Sequence, residues 1–199
     1  MFLSIVSGSS GNSSLISSGG TTLLVDCGMS GKKLEEALAR KDISCAEIDG
    51  ILVTHEHIDH IKGVGIISRR YNIPIYASAG TFSAADMGKL DEGNIHIISA
   101  ESEFEIGNIG VSPFTISHDA KEPLGFSFFA DGKKMTLATD SGVITEGMWT
   151  HMMGSDEIIL ESNHDVDMLM YGVYPMNLKR RILSSFLAMR PCSNSFQQA

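Results

Sequence analysis

Between Ile51 and Val64 the chain reads ILVTHEHIDHIKGV, an apolar run of β-formers that ends in three histidines and an aspartate within six positions. Ile51, Leu52 and Val53 suit a strand buried on both faces, and such strands belong to sheets covered by helices. The loop that follows concentrates groups that are costly to hold close together unless a cation sits among them. Residues two apart point the same way in an extended or turning chain, so His55 and His57 can reach one ion together. Asp59 and His60 lie just past the turn, in place for a neighbouring ion. Imidazole and carboxylate are donors that suit Zn²⁺, Mn²⁺ or Fe²⁺. One histidine here would read as an ordinary loop residue; four ligand-type residues after a buried strand read as a metal site.

The chain has 199 residues, of which 43% are hydrophobic and 20% charged, enough for one well-buried core without a second domain. A net charge of −9 argues against a broad basic surface for duplex nucleic acid. It leaves room for a local site, because a bound metal inverts the charge of an acidic cluster. Cys27, Cys45 and Cys192 show no CxxC spacing, so no disulfide framework is expected and a reducing compartment fits. The opening MFLSIVSGSSGNSS lacks a basic leader, and no apolar run is long enough to span a bilayer. The expectation is a cytoplasmic protein without a membrane segment.

FLSIV and TTLLVDC read as strands joined through a turn at Gly19-Gly20, and SGKKLEEALARKD as a helix capped by Ser30. DGILVT is a buried strand, and the stripe of Ile58, Ile61, Val64 and Ile67 starts a helix within the histidine cluster. IPIYAS is a strand, AGTFSAADMGKL a helix, and NIHIIS, EFEIGNIGVSPFTIS and GFSFFADGKKMTLAT are strands in series, the last turning at Asp131-Gly132. SDEIILES adds a strand and NLKRRILS a helix start. Paired β-runs interleaved with single helices predict an α/β fold, two stacked mixed sheets with helices outside. His118 closes SPFTISHD and Asp140 closes MTLATD, each at a strand end like the first cluster.

From LLVDCG through VTHEHIDHIKG, SHD and LATDSG, the chain resembles the metallo-β-lactamase superfamily of dinuclear hydrolases. SGSSGNSSLI, LESNHDVDML and YPMNLKRRILS resemble its YycJ/WalJ (VicX) branch of 5′→3′ exonuclease-like proteins, over residues 1–184. The resemblance implies the αβ/βα sandwich of that superfamily and two divalent ions, Zn²⁺ or Mn²⁺. It implies that His55, His57 and His118 hold the first ion, Asp59 and His60 the second, and that Asp140 bridges them. Asp26 would brace the histidine loop. The activity implied is phosphodiester hydrolysis of DNA by a hydroxide shared between the ions, with Asp59 and His164 as catalytic residues. His164 would protonate a leaving group or hold a phosphate oxygen; as the start of a helix after Asn163 it would look the same. His96 and His151 read as structural, and Cys27 as a small buried residue.

For substrate, Ser9 and Asn12 lie in a loop of small hydroxyls and backbone N–H groups that can cup a phosphate, although polar hairpin loops share that composition. Lys179 and Arg180, with Arg181, form a basic run suited to the nucleic-acid backbone or to a solvated helix face. The same scaffold serves small acyl substrates such as thioesters, lactones or β-lactams, which is the alternative activity. After Ser184 the resemblance stops: SFLAMRPCSNSFQQA, residues 185–199, carries neither histidine nor an evident strand. The expectations are a domain over 1–184 with a divergent tail over 185–199, last strands missing, a weakened second ion, and an apolar edge that invites homo-oligomerisation. A weakly active truncated chain is the third alternative.

Overall fold

The N-terminal strands build one edge of a sheet. β1 (Phe2–Val6) pairs antiparallel with β2 (Ser13–Ser18), and β2 with β3 (Thr21–Val25). In this computed structural model residues 2–8 and 11–160 are described, with 164–165, 171, 175–176, 179 and 188–189 beyond them. β3 lies parallel to β4 (Gly50–Leu52), β4 to β5 (Ile75–Ser78), and β5 to β6 (Ile95–Ile98), in the spatial order β1-β2-β3-β4-β5-β6. Parallel neighbours need crossovers. These run through α1 (Gly31–Ala39), through α2 (Ile58–Ile61) with α3 (Val64–Tyr71), and through α4 (Ala79–Ala84).

The second sheet is a meander of β7 (Phe104–Ile106), β8 (Ile109–Thr115), β9 (Leu124–Ala130) and β10 (Lys133–Ala138). After α5 (Glu146–Met152) the chain adds β11 (Glu157–Leu160) parallel to β10. Alternation along β3 sets the layers: Leu23 and Val25 meet Ile109, Phe126, Phe128 and Leu137 of the facing sheet. Leu24, with Ile51 and Val53, packs outward on Leu34, Leu38 and Ile67 of the helices. Met148 of α5 covers Phe114 and Ala138 on the far side. Two mixed sheets with helices outside are thus what the sequence predicts.

Several elements differ from expectation, and α4 stops at Ala84, short of the helix expected through Leu90. EFEIGNIGVSPFTIS is a hairpin rather than one strand, turning at Gly107, whose φ of 55° and close approach to Thr21 favour glycine. α1 stops at Ala39, short of Asp42, as Ile43 N–H folds back to the Leu38 carbonyl. The helix that starts in the histidine cluster divides at Gly63, whose N–H donates to the Cys27 carbonyl at 2.8 Å and where a Cβ would stand 2.4 Å from the Met29 carbonyl oxygen. The 27–29 loop therefore presses into the break. Within the tail, Ala188–Met189 forms a two-residue strand parallel to His164–Asp165, too short to leave a period in the sequence. The rest of NLKRRILS, apart from Lys179, lies outside the described residues.

Candidate metal centre

β3, β4, β8 and β10 all deliver their C-terminal ends to one rim of the sandwich, and each strand is followed there by a polar residue of the centre: Asp26, His55, His118 and Asp140. His55 is fully buried and His60 is 1% exposed, while the His118 side chain is 1% exposed. His57 Nδ1 lies 3.1 Å from His55 Nε2 and 3.2 Å from His118 Nε2. Three ring nitrogens thus aim at one point, and pairwise they can share protons at best. A cation satisfies three lone pairs together, which is the coordination that imidazole favours. Burial first, then the like charges of His60, His118 and His57, pushes the His55 pKa far down, so its ring is neutral and ready to donate.

The second triad shares His55 and adds His60 and Asp140; its donor atoms lie within 4.8 Å of one another, as do those of His55, His57 and His118. His60 Nδ1 is 2.8 Å from Asp26 Oδ2, and His60 Nε2 is 3.1 Å from Asp140 Oδ2. One imidazole between two carboxylates serves both only as imidazolium, or as a neutral ring with a cation at Nε2. Burial opposes charge on His60, but Asp26 and Asp140 outweigh it and raise the pKa to about 10 in the metal-free site. Asp140 is held below the ordinary carboxylate value: burial works against its charge, and the hydrogen bond and charge of His60, then His118 and His57, override it. Either triad could hold a divalent ion, but His55 Nδ1 is engaged by Thr54 Oγ1, so its one free lone pair serves a single ion and His60 with Asp140 is left to the other.

Asp26 does more than end a strand. Its Oδ1 accepts from Thr54 N–H and its Oδ2 from Thr54 Oγ1, both at 2.8 Å. By taking the Nδ1 proton of His60 it leaves Nε2 as the donor atom, the support a ligating imidazole usually has. Thr54, which the sequence reading passed over, is fully buried with Oγ1 at 3.0 Å from His55 Nδ1 and 3.3 Å from His60 Nδ1. Its place directly before HEHIDH was the available signal. Asp119 was also missed; its Oδ1 lies 3.4 Å from His118 Nε2.

Asp59 stands at the mouth, its side chain 32% exposed and Oδ2 3.8 Å from His60 Nε2. Asn12 fits tightly: its N–H donates to the Asp59 carbonyl at 2.7 Å, its Oδ1 accepts from Gly8 N–H, and Nδ2 lies 3.0 Å from His60 Nε2. The glycine–serine loop is therefore part of the wall of the second triad. Lys179 is 7% exposed, which leaves its ammonium little surface to present to a phosphate. Ser9, Arg180 and the side chain of His164 lie outside the described residues. His151 instead pairs with Glu101 at 3.1 Å, away from the triads, and His96 stacks on Tyr76.

The sandwich and its paired triads define a class, and comparison with known proteins agrees: residues 21–191 match the beta-lactamase superfamily domain, and the chain belongs to that superfamily. Within it the chain is 40% identical over 185 residues to the exodeoxyribonuclease YycJ of Bacillus anthracis, covering 92% of this chain and 70% of that protein. It is equally 40% identical to the exodeoxyribonuclease WalJ of Streptococcus pneumoniae, covering 90% and 68%. Among solved structures, Zn²⁺-bound PqqB from Methylobacterium extorquens superposes with a TM-score of 0.71 at 17% identity, over 90% of this chain and 69% of that one. The Rm3 metallo-β-lactamase gives 0.59 at 16% identity over 80% and 74%, a likeness of fold alone. Among the described residues no helix is long and apolar enough to cross a membrane.

Proposed function

We propose that this chain is a metal-dependent phosphodiesterase that shortens DNA from an end, an exodeoxyribonuclease that works with two divalent ions, Zn²⁺ or Mn²⁺. The observation that carries the metal dependence is that two buried groups of donors, His57 with His118 and His60 with Asp140, converge on the buried His55. Two ions so held would supply Lewis acidity to the phosphodiester and acidify the attacking water. The kind of substrate rests on the identity with YycJ and WalJ over nearly the whole chain. The net charge of −9 then places the favourable field for a phosphate at the ions rather than over the surface.

The chain's own residues orient and hold. Asp26 and Thr54 fix the ring planes of His55 and His60. Asp59, its side chain about a third exposed, would take up the proton of the attacking water, and the Asn12 amide beside His60 would receive a phosphate oxygen. His164 is proposed as the proton donor to the leaving group. No side-chain nucleophile is called on, since burial, then Cys45 and Asp26, push the Cys27 thiol up to about 12.

The test is hydrolysis of end-labelled single- and double-stranded oligonucleotides with Mn²⁺ or Zn²⁺, beside thioester, lactone and β-lactam panels. Stepwise shortening that EDTA abolishes is the expected result. Turnover of an acyl substrate with intact oligonucleotides would instead favour the small-molecule reading of the same fold.

A further inference from the structure

The three-histidine triad is assembled from two sheets. His55 and His57 follow β4 of one, whereas His118 follows β8 of the other. The spacing of its donor atoms therefore depends on how the loop after β8 is fastened to the facing layer. That loop makes its attachments just beyond His118. Lys121 N–H donates to Glu56 Oε1 at 2.7 Å, and Leu124 N–H donates to the Thr54 carbonyl at 2.9 Å. Glu122 Oε2 accepts from Gly80 N–H at 2.7 Å, and its carbonyl accepts from Ser78 Oγ.

Of these, the Glu56 contact is made from between two of the donors, because Glu56 lies between His55 and His57 in the chain. Its other oxygen, Oε2, is buried without a hydrogen-bond partner among the described residues. Holding a carboxylate in that state is unfavourable by itself, so its place calls for a compensating role.

We infer that Glu56 is a positioning residue: its carboxylate staples the His118 loop to the HEHIDH loop and so sets the bite of the three-imidazole pocket. The inference rests on the metal-centre reading above, and metal affinity reads it rather than turnover. In the full chain, competition with a chromogenic chelator measures the first equivalent of Zn²⁺. Glu56→Met keeps the bulk but removes the acceptor, and should weaken that equivalent about tenfold, the scale typical of lost outer support. Glu56→Gln retains an acceptor oxygen and should restore most of the affinity.

The decisive comparison is a double-mutant cycle with His118→Ala. If Glu56 acts through His118, then Glu56→Met costs nothing further once His118 is gone. An equal tenfold loss in both backgrounds would show a general structural effect and overturn the inference, as would unchanged affinity in Glu56→Met. Glu56→Ala provides a second side chain lacking the acceptor, with the same expectations, should the Met variant fold poorly. If the unmodified chain binds no Zn²⁺, the metal-centre reading falls with it. If that chain binds tightly and the variants bind alike, only the role of Glu56 falls.

Discussion

The two halves of the metal centre share His55 but solve different electrostatic problems. In the pocket of His55, His57 and His118 no carboxylate belongs to the triad, and the ring nitrogens stand 3.1 and 3.2 Å apart. In the pocket of His55, His60 and Asp140, Asp26 and Asp140 together hold a positive charge on His60 when no ion is present. The second pocket thus exchanges a proton for its metal. Placing imidazoles together is tolerable in a buried site; placing carboxylates there requires a counter-charge at all times.

That contrast can be broken most severely at its shared member. His55→Ala should strip the first ion and weaken the second by elemental analysis, and lower oligonucleotide hydrolysis by more than about 100-fold. Retention of one full equivalent would show the pockets to be independent. Next in size, Asp26→Asn should weaken the second ion by roughly 10- to 100-fold while the first equivalent stays tight in a calorimetric titration. Equal weakening of both ions would mean that Asp26 supports the histidine loop as a whole. In the unaltered chain, the second equivalent should bind about tenfold or more weakly than the first at neutral pH, since its pocket must give up the proton held on His60. Two equally tight sites would contradict this.

The smallest effect is expected behind the pockets, at Cys27 and Cys45, both buried. Burial is the leading cause that raises their thiols to about 12 and about 11. Their unfolded value is near 9.0, so above it the unfolded chain loses protons that the native one retains. Stability contributed by the two thiols is complete below pH 9 and declines as pH rises towards 11 and 12. Denaturant midpoints should drop modestly over that window, and a Cys27→Ser, Cys45→Ser variant should show a shallower drop.

Much of the centre was legible because it is local. HEHIDH lies within one turn, and strand ends announced His118 and Asp140 through the apolar runs before them. Thr54 was hidden because its partner Asp26 stands 28 positions away, and nothing in a threonine before a histidine separates a strand end from a brace. Asn12 was named as a phosphate-cupping residue, but its contact with His60 spans 48 positions and left no local signal. The sheets were readable from periodicity, but the break at Gly63 depends on the close approach of a loop 34 residues earlier, which periodicity cannot register. The outer limit of α1 was set by a turn at Asp42, with φ at 57°, a conformation aspartate tolerates without advertising it.

Asp26 and Asp140 also share a backbone feature with a practical reach: both adopt left-handed φ angles, 58° and 56°. For a residue with a Cβ that conformation carries a penalty on the order of 1 kcal/mol. Anyone engineering this enzyme for heat tolerance would find glycine attractive at either position, because it relaxes the main chain. At these two addresses the gain would be spurious, as the carboxylate removed is what orients His60 or belongs to the second donor triad. Thermal robustness and metal retention should therefore separate in any library screened by melting alone, and selection for both has to leave these two acids in place.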